Sequence, residues 1–346
     1  MLDLNANILL IYTGGTIGMI EDSMSGALKP FDFNYLKEYL PELNRLKFNI
    51  DSIAFEHPID SSDVGPSDWK RIVQIIENHY EKYDGFVILH GTDTMAYSAS
   101  VLSFMLKNLT KPVILTGSQL PIGKMRTDGR ENLITTLEIA VDKDSEGNAF
   151  VPEVCIFFQN LLMRGNRTTK VNADNFNAFN SLNYPVLAEA GTYIKYEHYL
   201  IHHPLKGSKP QFHYCLNPNV TILKIFPGIS DNCVKAVFNN LYLKGVVIET
   251  FGAGNSHAHK SFLSIIEEAI KKEIVIINVT QCISGTVEMD RYQGGQALKN
   301  IGVLSGYDIT TEAAVTKLMF LFGQGLTPEE VKERMQSSIA GEMTIS

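Results

Sequence analysis

Ile8-Leu9-Leu10-Ile11-Tyr12-Thr13-Gly14-Gly15-Thr16-Ile17-Gly18-Met19 joins an uninterrupted apolar run of strand length to a small polar turn. Apolar residues without alternation fit a strand buried on both faces, as in a parallel sheet. Gly85-Phe86-Val87-Ile88-Leu89-His90-Gly91-Thr92-Asp93-Thr94-Met95 has the same plan. In an open parallel sheet, ligands bind in the crevice outside the carboxyl ends of the strands. Two such turns meeting there would set two hydroxyls, one carboxylate and several backbone amides around one small molecule.

Outward from these stretches, strands and helices alternate. Pro66-Ser67-Asp68-Trp69 opens a helix with Ser67 as N-cap, and Trp69, Ile72, Val73, Ile76 and Tyr80 follow at helical spacing. Strand 85–89, helix 95–108, strand Pro112 to Leu115, a helix near 129–142 and strand 154–158 come next. An earlier strand is expected at 52–55. This alternation predicts an α/β fold, and right-handed crossovers bring the carboxyl ends to one edge of the sheet. Residues 191–194 and 199–201 read as a hairpin of short strands. Pro204, Gly207, Ser208, Pro210, Asn217 and Pro218 read as a linker. Alternation restarts at Val220 to Ile225, with strands near 245–250 and 274–280. Helices are expected near 230–241, 259–272 and 311–322, and a last one opens at Thr327-Pro328-Glu329-Glu330. The expected organisation is a catalytic domain over 1–190, a hairpin and linker over 191–218, and a second domain over 219–346.

The bulk numbers exclude several classes. The 346 residues are 45% hydrophobic and 20% charged, with a net charge of -8, which suits a globular protein with two cores. The chain is mildly acidic, with a pI of about 5.6, and has no dense Lys/Arg block, so no nucleic-acid partner is expected. No apolar run is long enough for a membrane span. Met1 to Asn7 carries no basic segment and leads straight into the first strand, so no secretory leader is expected. Cys155, Cys215, Cys233 and Cys282 are scattered, without C-x-x-C. That fits free thiols in a reducing compartment, hence the cytoplasm. The nine histidines lack metal-binding spacing, so no metal is expected.

A threonine hydroxyl attacks only if something takes its proton. Thr92 and Asp93 give one turn a hydroxyl and a carboxylate, and Thr94 caps the next helix. Two further polar clusters are Asp60-Ser61-Ser62-Asp63 and Arg164-Gly165-Asn166-Arg167-Thr168-Thr169-Lys170. A buried lysine sheds its charge and becomes a base. A relay is therefore chemically sensible: Asp93 polarises Lys170, Lys170 takes the proton of Thr92, and Thr92 or Thr16 attacks. Each signal taken alone has a plainer explanation: turn capping for Ser61 and Ser62, a solvated lysine for Lys170, a satisfied buried residue for His90. The chain has neither G-x-G-x-x-G nor G-x-x-x-x-G-K-[ST], which weighs against nucleotide binding. Residues 19–31, with Asp22, Ser23, Ser25, Gly26 and Pro30, read as a lid over the first turn.

Together, Thr13 to Gly18 and His90 to Met95 resemble the two signatures of the bacterial asparaginase family, and within it the cytoplasmic type I L-asparaginases. Asp60 to Asp63, Thr116-Gly117-Ser118-Gln119, Arg164 to Lys170, Gly252-Ala253-Gly254-Asn255 and Asn278-Val279-Thr280-Gln281-Cys282 extend the likeness over nearly the whole chain. The resemblance implies two α/β domains, the larger N-terminal one with a parallel sheet and the active site at its strand C-termini. It implies hydrolysis of L-asparagine without a cofactor. Thr16 would be the nucleophile, and Thr92, Asp93 and Lys170 the relay. Asp60, Ser61, Ser62, Thr92 and Asp93 would hold the substrate, with amides near Thr92 for the oxyanion. Asn255 would come from a neighbouring subunit, in a homodimer or dimer of dimers. Two departures stand out. Relatives place a Tyr in the lid, whereas Ser25-Gly26-Ala27-Leu28-Lys29-Pro30 has none. Type I relatives with an allosteric asparagine site use an Arg where this chain has Glu249, beside Thr280 and Cys282. A Glu does not clamp a carboxylate as Arg does, so allosteric activation is expected to be lost or altered.

Overall fold

In the computed structural model, which describes residues 6–21, 28–29, 36 and 38–345, the apolar run Asn7–Tyr12 is strand β1. It pairs in parallel with β2 (Asn49–Ala54) on one side and β3 (Gly85–Leu89) on the other. Ile8, Leu9, Leu10 and Ile11 are fully buried, and each such side chain stabilises the fold by about 1.5–3 kcal/mol. Strands β4 (Val113–Thr116) and β5 (Val154–Phe158) continue the parallel order beyond β3. Most of the stretch expected to form a lid, including Ser25 to Ala27 and Pro30, lies outside the described residues. At its ends, Ile20–Glu21 pairs antiparallel with Leu28–Lys29.

Past β5 the sheet departs from the expected all-parallel pattern. Phe158 faces Leu161 across a two-residue turn, and β6 (Leu161–Arg164) runs antiparallel to β5. Gln159 and Asn160 both have positive φ, 44° and 67°, the conformation of a type I′ hairpin turn. A two-residue link leaves no length for a crossover helix, so the chain must return antiparallel. Strands β7 (Ala188–Ala190) and β8 (Ile194–Tyr196) complete the order β8-β7-β6-β5-β4-β3-β1-β2. The hairpin expected from 191–194 and 199–201 is therefore displaced: Ile194 to Tyr196 pairs back onto 188–190, and residues 199–201 form no strand.

Helix α1 (Pro66–His79) starts one residue before the expected cap. Gly65 is the N-cap, Pro66 takes the first helical position, and the Asp68 carboxylate accepts the Gly65 N–H at 2.9 Å. Proline's fixed φ suits that position, so Ser67 falls inside the helix. Helix α2 (Met95–Met105) is almost wholly buried and stops three residues early. Leu106–Lys107 turns extended to pair with Gln211–Phe212, residues expected to be plain linker. Helix α3 (Gly129–Val141) packs Leu133, Leu137 and Val141 into the β1-centred core.

The chain divides into two compact units, Met1–Tyr214 and Cys215–Ser346. The second has a parallel sheet of β9 (Val220–Lys224), β10 (Gly245–Thr250), β11 (Val275–Thr280) and β12 (Leu304–Ser305) in that order. Helices α4 (Asp231–Phe238), α5 (Lys260–Lys271), α6 (Gln293–Asn300), α7 (Thr311–Gly323) and α8 (Pro328–Met335) accompany it. The α8 start is a capping box between Thr327 and Glu330, as its sequence predicts. Helix α6 was not anticipated, because Gly294 and Gly295 dilute its helical signal. Lys317 of α7 and Glu342 form a fully buried ion pair at 2.7 Å. Among the described residues, no helix is long and apolar enough to cross a membrane.

Candidate active site

The first turn follows β1 and meets the second through backbone alone. Gly15 has φ 88° and caps a 3-10 turn over Thr16–Gly18. A Cβ on Gly15 would stand 2.5 Å from Gly91 N, and one on Gly91 would stand 2.5 Å from Ser61 Oγ. Only glycine permits so close an approach, so three turns, after β1, β2 and β3, abut at the carboxyl ends of their strands. Thr16 is half-buried, and its hydroxyl has no hydrogen-bond partner among the described residues. Beneath it, the buried Tyr12 hydroxyl donates to Gly15 O at 3.3 Å, and burial pushes its pKa up to about 12.

The second turn brings together the residues of the expected relay. Lys170 Nζ donates to Thr92 Oγ1 at 2.9 Å and to Asp93 Oδ1 at 2.7 Å. Thr92 in turn donates to Gln119 Oε1 at 3.2 Å. Gln119 has no freedom to choose that orientation: its Nε2 gives protons to Ala173 O and Asn175 O at 3.1 and 3.0 Å, which leaves Oε1 facing the threonine. In this arrangement Lys170 is the donor, so it accepts the Thr92 proton only after losing one of its own. Lys170 lies in a short strand, Thr169–Lys170, paired with Phe179–Asn180. A buried bidentate pair anchors the turn before it: Arg164 Nε and Nη2 reach Glu153 at 2.6 and 3.2 Å.

The third turn splits the expected substrate-holding trio. Asp60 caps the 3-10 turn Ser61–Asp63 by accepting from Ser62 N and Ser62 Oγ, both at 2.9 Å. Those two bonds, the backbone one first, hold its carboxyl below the usual range. Asp60 and Ser62 thus also cap their turn. Ser61 is different: it is buried, its Oγ accepts from Asp93 N at 3.3 Å, and its carbonyl accepts from Thr94 Oγ1 at 2.5 Å. Thr94 stands at the N-cap of α2, but its hydroxyl serves Ser61 and not the helix.

His90 is a satisfied buried side chain. Nδ1 bonds Gly91 O at 2.7 Å and Nε2 bonds Ser98 Oγ at 2.9 Å, while Trp69 Nε1 donates to Ser98 Oγ at 2.8 Å. Burial holds its pKa below the ordinary value.

The remaining expected residues belong to the second unit. Asn255 sits in the turn after β10, where its Oδ1 accepts from Ser256 N at 3.0 Å. Glu249 accepts from Thr311 Oγ1 at 2.8 Å and pairs with Lys224 Nζ at 3.3 Å. Thr280 Oγ1 donates to Gly252 O at 2.5 Å and accepts from Cys282 N at 3.0 Å. Among the described residues, no group of three or more His, Cys, Asp or Glu is arranged to hold a metal ion. Sequence reasoning gave no role to Gln119, although its place just after the β4 turn parallels that of Thr92 after β3. Nothing in the sequence announced Glu153.

The asparaginase N-terminal family matches residues 7–202, and the glutaminase/asparaginase C-terminal domain family matches 219–335. L-asparaginase 1 of Escherichia coli is 43% identical over 98% of this chain and 98% of its own. The 60 kDa lysophospholipase of Mus musculus is 41% identical over 98% of this chain, which covers 62% of that longer protein. The crystal structure of L-asparaginase I from Vibrio cholerae superimposes with a TM-score of 0.89 at 39% identity, covering 99% of this chain and 100% of that one.

Proposed function

The chain belongs to the asparaginase family, and on that premise we propose that it hydrolyses L-asparagine to L-aspartate and ammonia without a cofactor. The observation that carries the mechanism is Lys170 Nζ bridging Thr92 Oγ1 and Asp93 Oδ1. Thr16 Oγ1 attacks the side-chain amide carbon as its proton passes through Thr92 to Lys170 in its neutral form, and the carbonyl oxygen becomes an oxyanion beside the Thr92 N–H. Collapse breaks the C–N bond, and the nitrogen leaves as ammonia with that proton, which Lys170 returns. Water then attacks the Thr16 ester: Thr92 takes the water proton as it passes its own to Lys170, neutral again, and Asp93 offsets the charge that Lys170 gains. Collapse of this second adduct breaks the ester bond, aspartate leaves, and Lys170 returns the proton to Thr16.

Asp60, Ser61, Ser62 and Asp93 hold the α-carboxylate and amine, with Asn255 supplied by a second copy in a homodimer or dimer of dimers. The enzyme works in the cytoplasm. Glu249, already engaged by Thr311 and Lys224, offers no cationic clamp for a second asparagine beside Thr280 and Cys282, so allosteric activation is absent.

The test is ammonia release from asparagine and from glutamine over a wide concentration range, for the native chain and Thr16→Ala. Asparagine is expected to be the better substrate, since one methylene is worth about 1–3 kcal/mol of discrimination. Thr16→Ala should lose at least about a thousandfold in kcat. The native rate curve should be hyperbolic; a sigmoidal curve abolished by changing Thr280 overturns the statement on Glu249. Activity surviving Thr16→Ala sinks the nucleophile assignment. A native chain that is stabilised by asparagine but releases nothing is a sensor.

A further inference from the structure

His90 is a buried titratable group that the relay leaves unused. Its surroundings fix every proton around it. Gly91 O only accepts, so Nδ1 carries the hydrogen. Nε2 must then accept, and the Ser98 hydroxyl is its partner. Trp69 Nε1–H is donor only, so Ser98 Oγ receives that bond and turns its own hydrogen to His90. The result is a one-way chain from Trp69 through Ser98 and His90 to Gly91 O. Trp69, Ser98 and His90 are all buried.

The carbonyl at the end of that chain belongs to the peptide whose N–H is that of Thr92. This N–H has no acceptor among the described residues. A hydrogen bond donated to a peptide oxygen draws density from its nitrogen, and linked bonds strengthen one another by roughly 10–30% each. We propose that His90 is a positioning residue, which through the Gly91–Thr92 peptide orients the Thr92 N–H and strengthens it as the oxyanion donor. The inference rests on the asparaginase reading above.

Two half-histidines separate this role from space filling. His90→Asn keeps a donor at the Nδ1 position and loses the Nε2 end. His90→Gln is closer to histidine in size and reaches towards Ser98, but has no donor at the δ position. Direct loss of an oxyanion donor costs about a hundredfold or more in kcat, so weakening one should cost roughly tenfold. His90→Asn is expected to keep kcat for asparagine within about threefold of native, and His90→Gln to lose about tenfold, with KM nearly unchanged in both. Equal losses, or a better His90→Gln, overturn the proposal. If neither variant folds, 15N spectra of the histidine-labelled native protein decide, with the His90 signal assigned by its shift in Ser98→Ala. The Nδ1–H tautomer at assay pH supports the proposal, and the Nε2–H tautomer or the imidazolium sinks it. An inactive native chain sinks the asparaginase reading and this inference with it, whereas an active one with indistinguishable variants sinks the inference alone.

Discussion

Thr92 is gripped from two sides, by Lys170 as donor and Gln119 as acceptor. Both bonds reach it from other segments, a strand and a turn, so the hydroxyl has one orientation without its own backbone enforcing it. Lys170→Met keeps much of the side-chain bulk but removes the only cation reaching Thr92 and Asp93 among the described residues. We expect kcat to fall by about 10²–10⁴, with the circular dichroism spectrum unchanged. A loss under tenfold would mean that Lys170 serves structure and not the relay. At this scale the sequence was informative where chemistry is rare: Thr16, Thr92 and Asp93 each follow an apolar run directly, and Lys170 ends a polar cluster. It was silent on Gln119, because an amide's orientation is set by Ala173 and Asn175, some fifty positions along. It was equally silent on which of Asp60, Ser61 and Ser62 also form the cap of their turn.

Among the elements, the β5–β6 hairpin redirects the sheet. Its turn asks two side-chain-bearing residues for left-handed backbone, and Gln159 at φ 44° is the poorer fit. That conformation costs an L-residue roughly 1–2 kcal/mol, part of which glycine's extra unfolded-state entropy takes back. Gln159→Gly should therefore stabilise the first unit by about 0.5 kcal/mol, seen as a higher urea midpoint at unchanged slope. It keeps the backbone N–H that Asn132 Oδ1 accepts; a lower midpoint would show that the glutamine side chain matters more than its strain. Four of the five parallel strands were legible because burial on both faces writes a continuous apolar run, whereas the edge strand β2 is largely exposed and was expected only over 52–55. The antiparallel return was not, since Gln-Asn is a weak turn signal and the short β7 and β8 carry charged, half-exposed residues. Helix ends erred by one to three residues wherever a tertiary contact, such as Leu106–Lys107 pairing with 211–212, won over local propensity.

Across the whole molecule, each of the two units has a core of its own. The second unit buries Lys317 against Glu342, whose carboxylate also accepts from Ile339 N and Ala340 N. Removing one member of a buried pair costs about 3–5 kcal/mol, because its partner is left charged and dry. Lys317→Met should lose about that much from the unit's unfolding free energy, and adding Glu342→Gln, which still accepts the backbone bonds, should recover more than half. Equal stability of single and double variants would show the charges to be uncoupled. Which signal reports these changes follows from Trp69. It is the sole tryptophan in 346 residues, and it lies in the first unit, one hydroxyl away from His90. Indole emission from this protein is therefore a channel to the first unit. Melting of the second unit leaves it dark and shows only as lost ellipticity. The distance between the fluorescence and ellipticity transitions measures, without any label, how independently the two halves come apart.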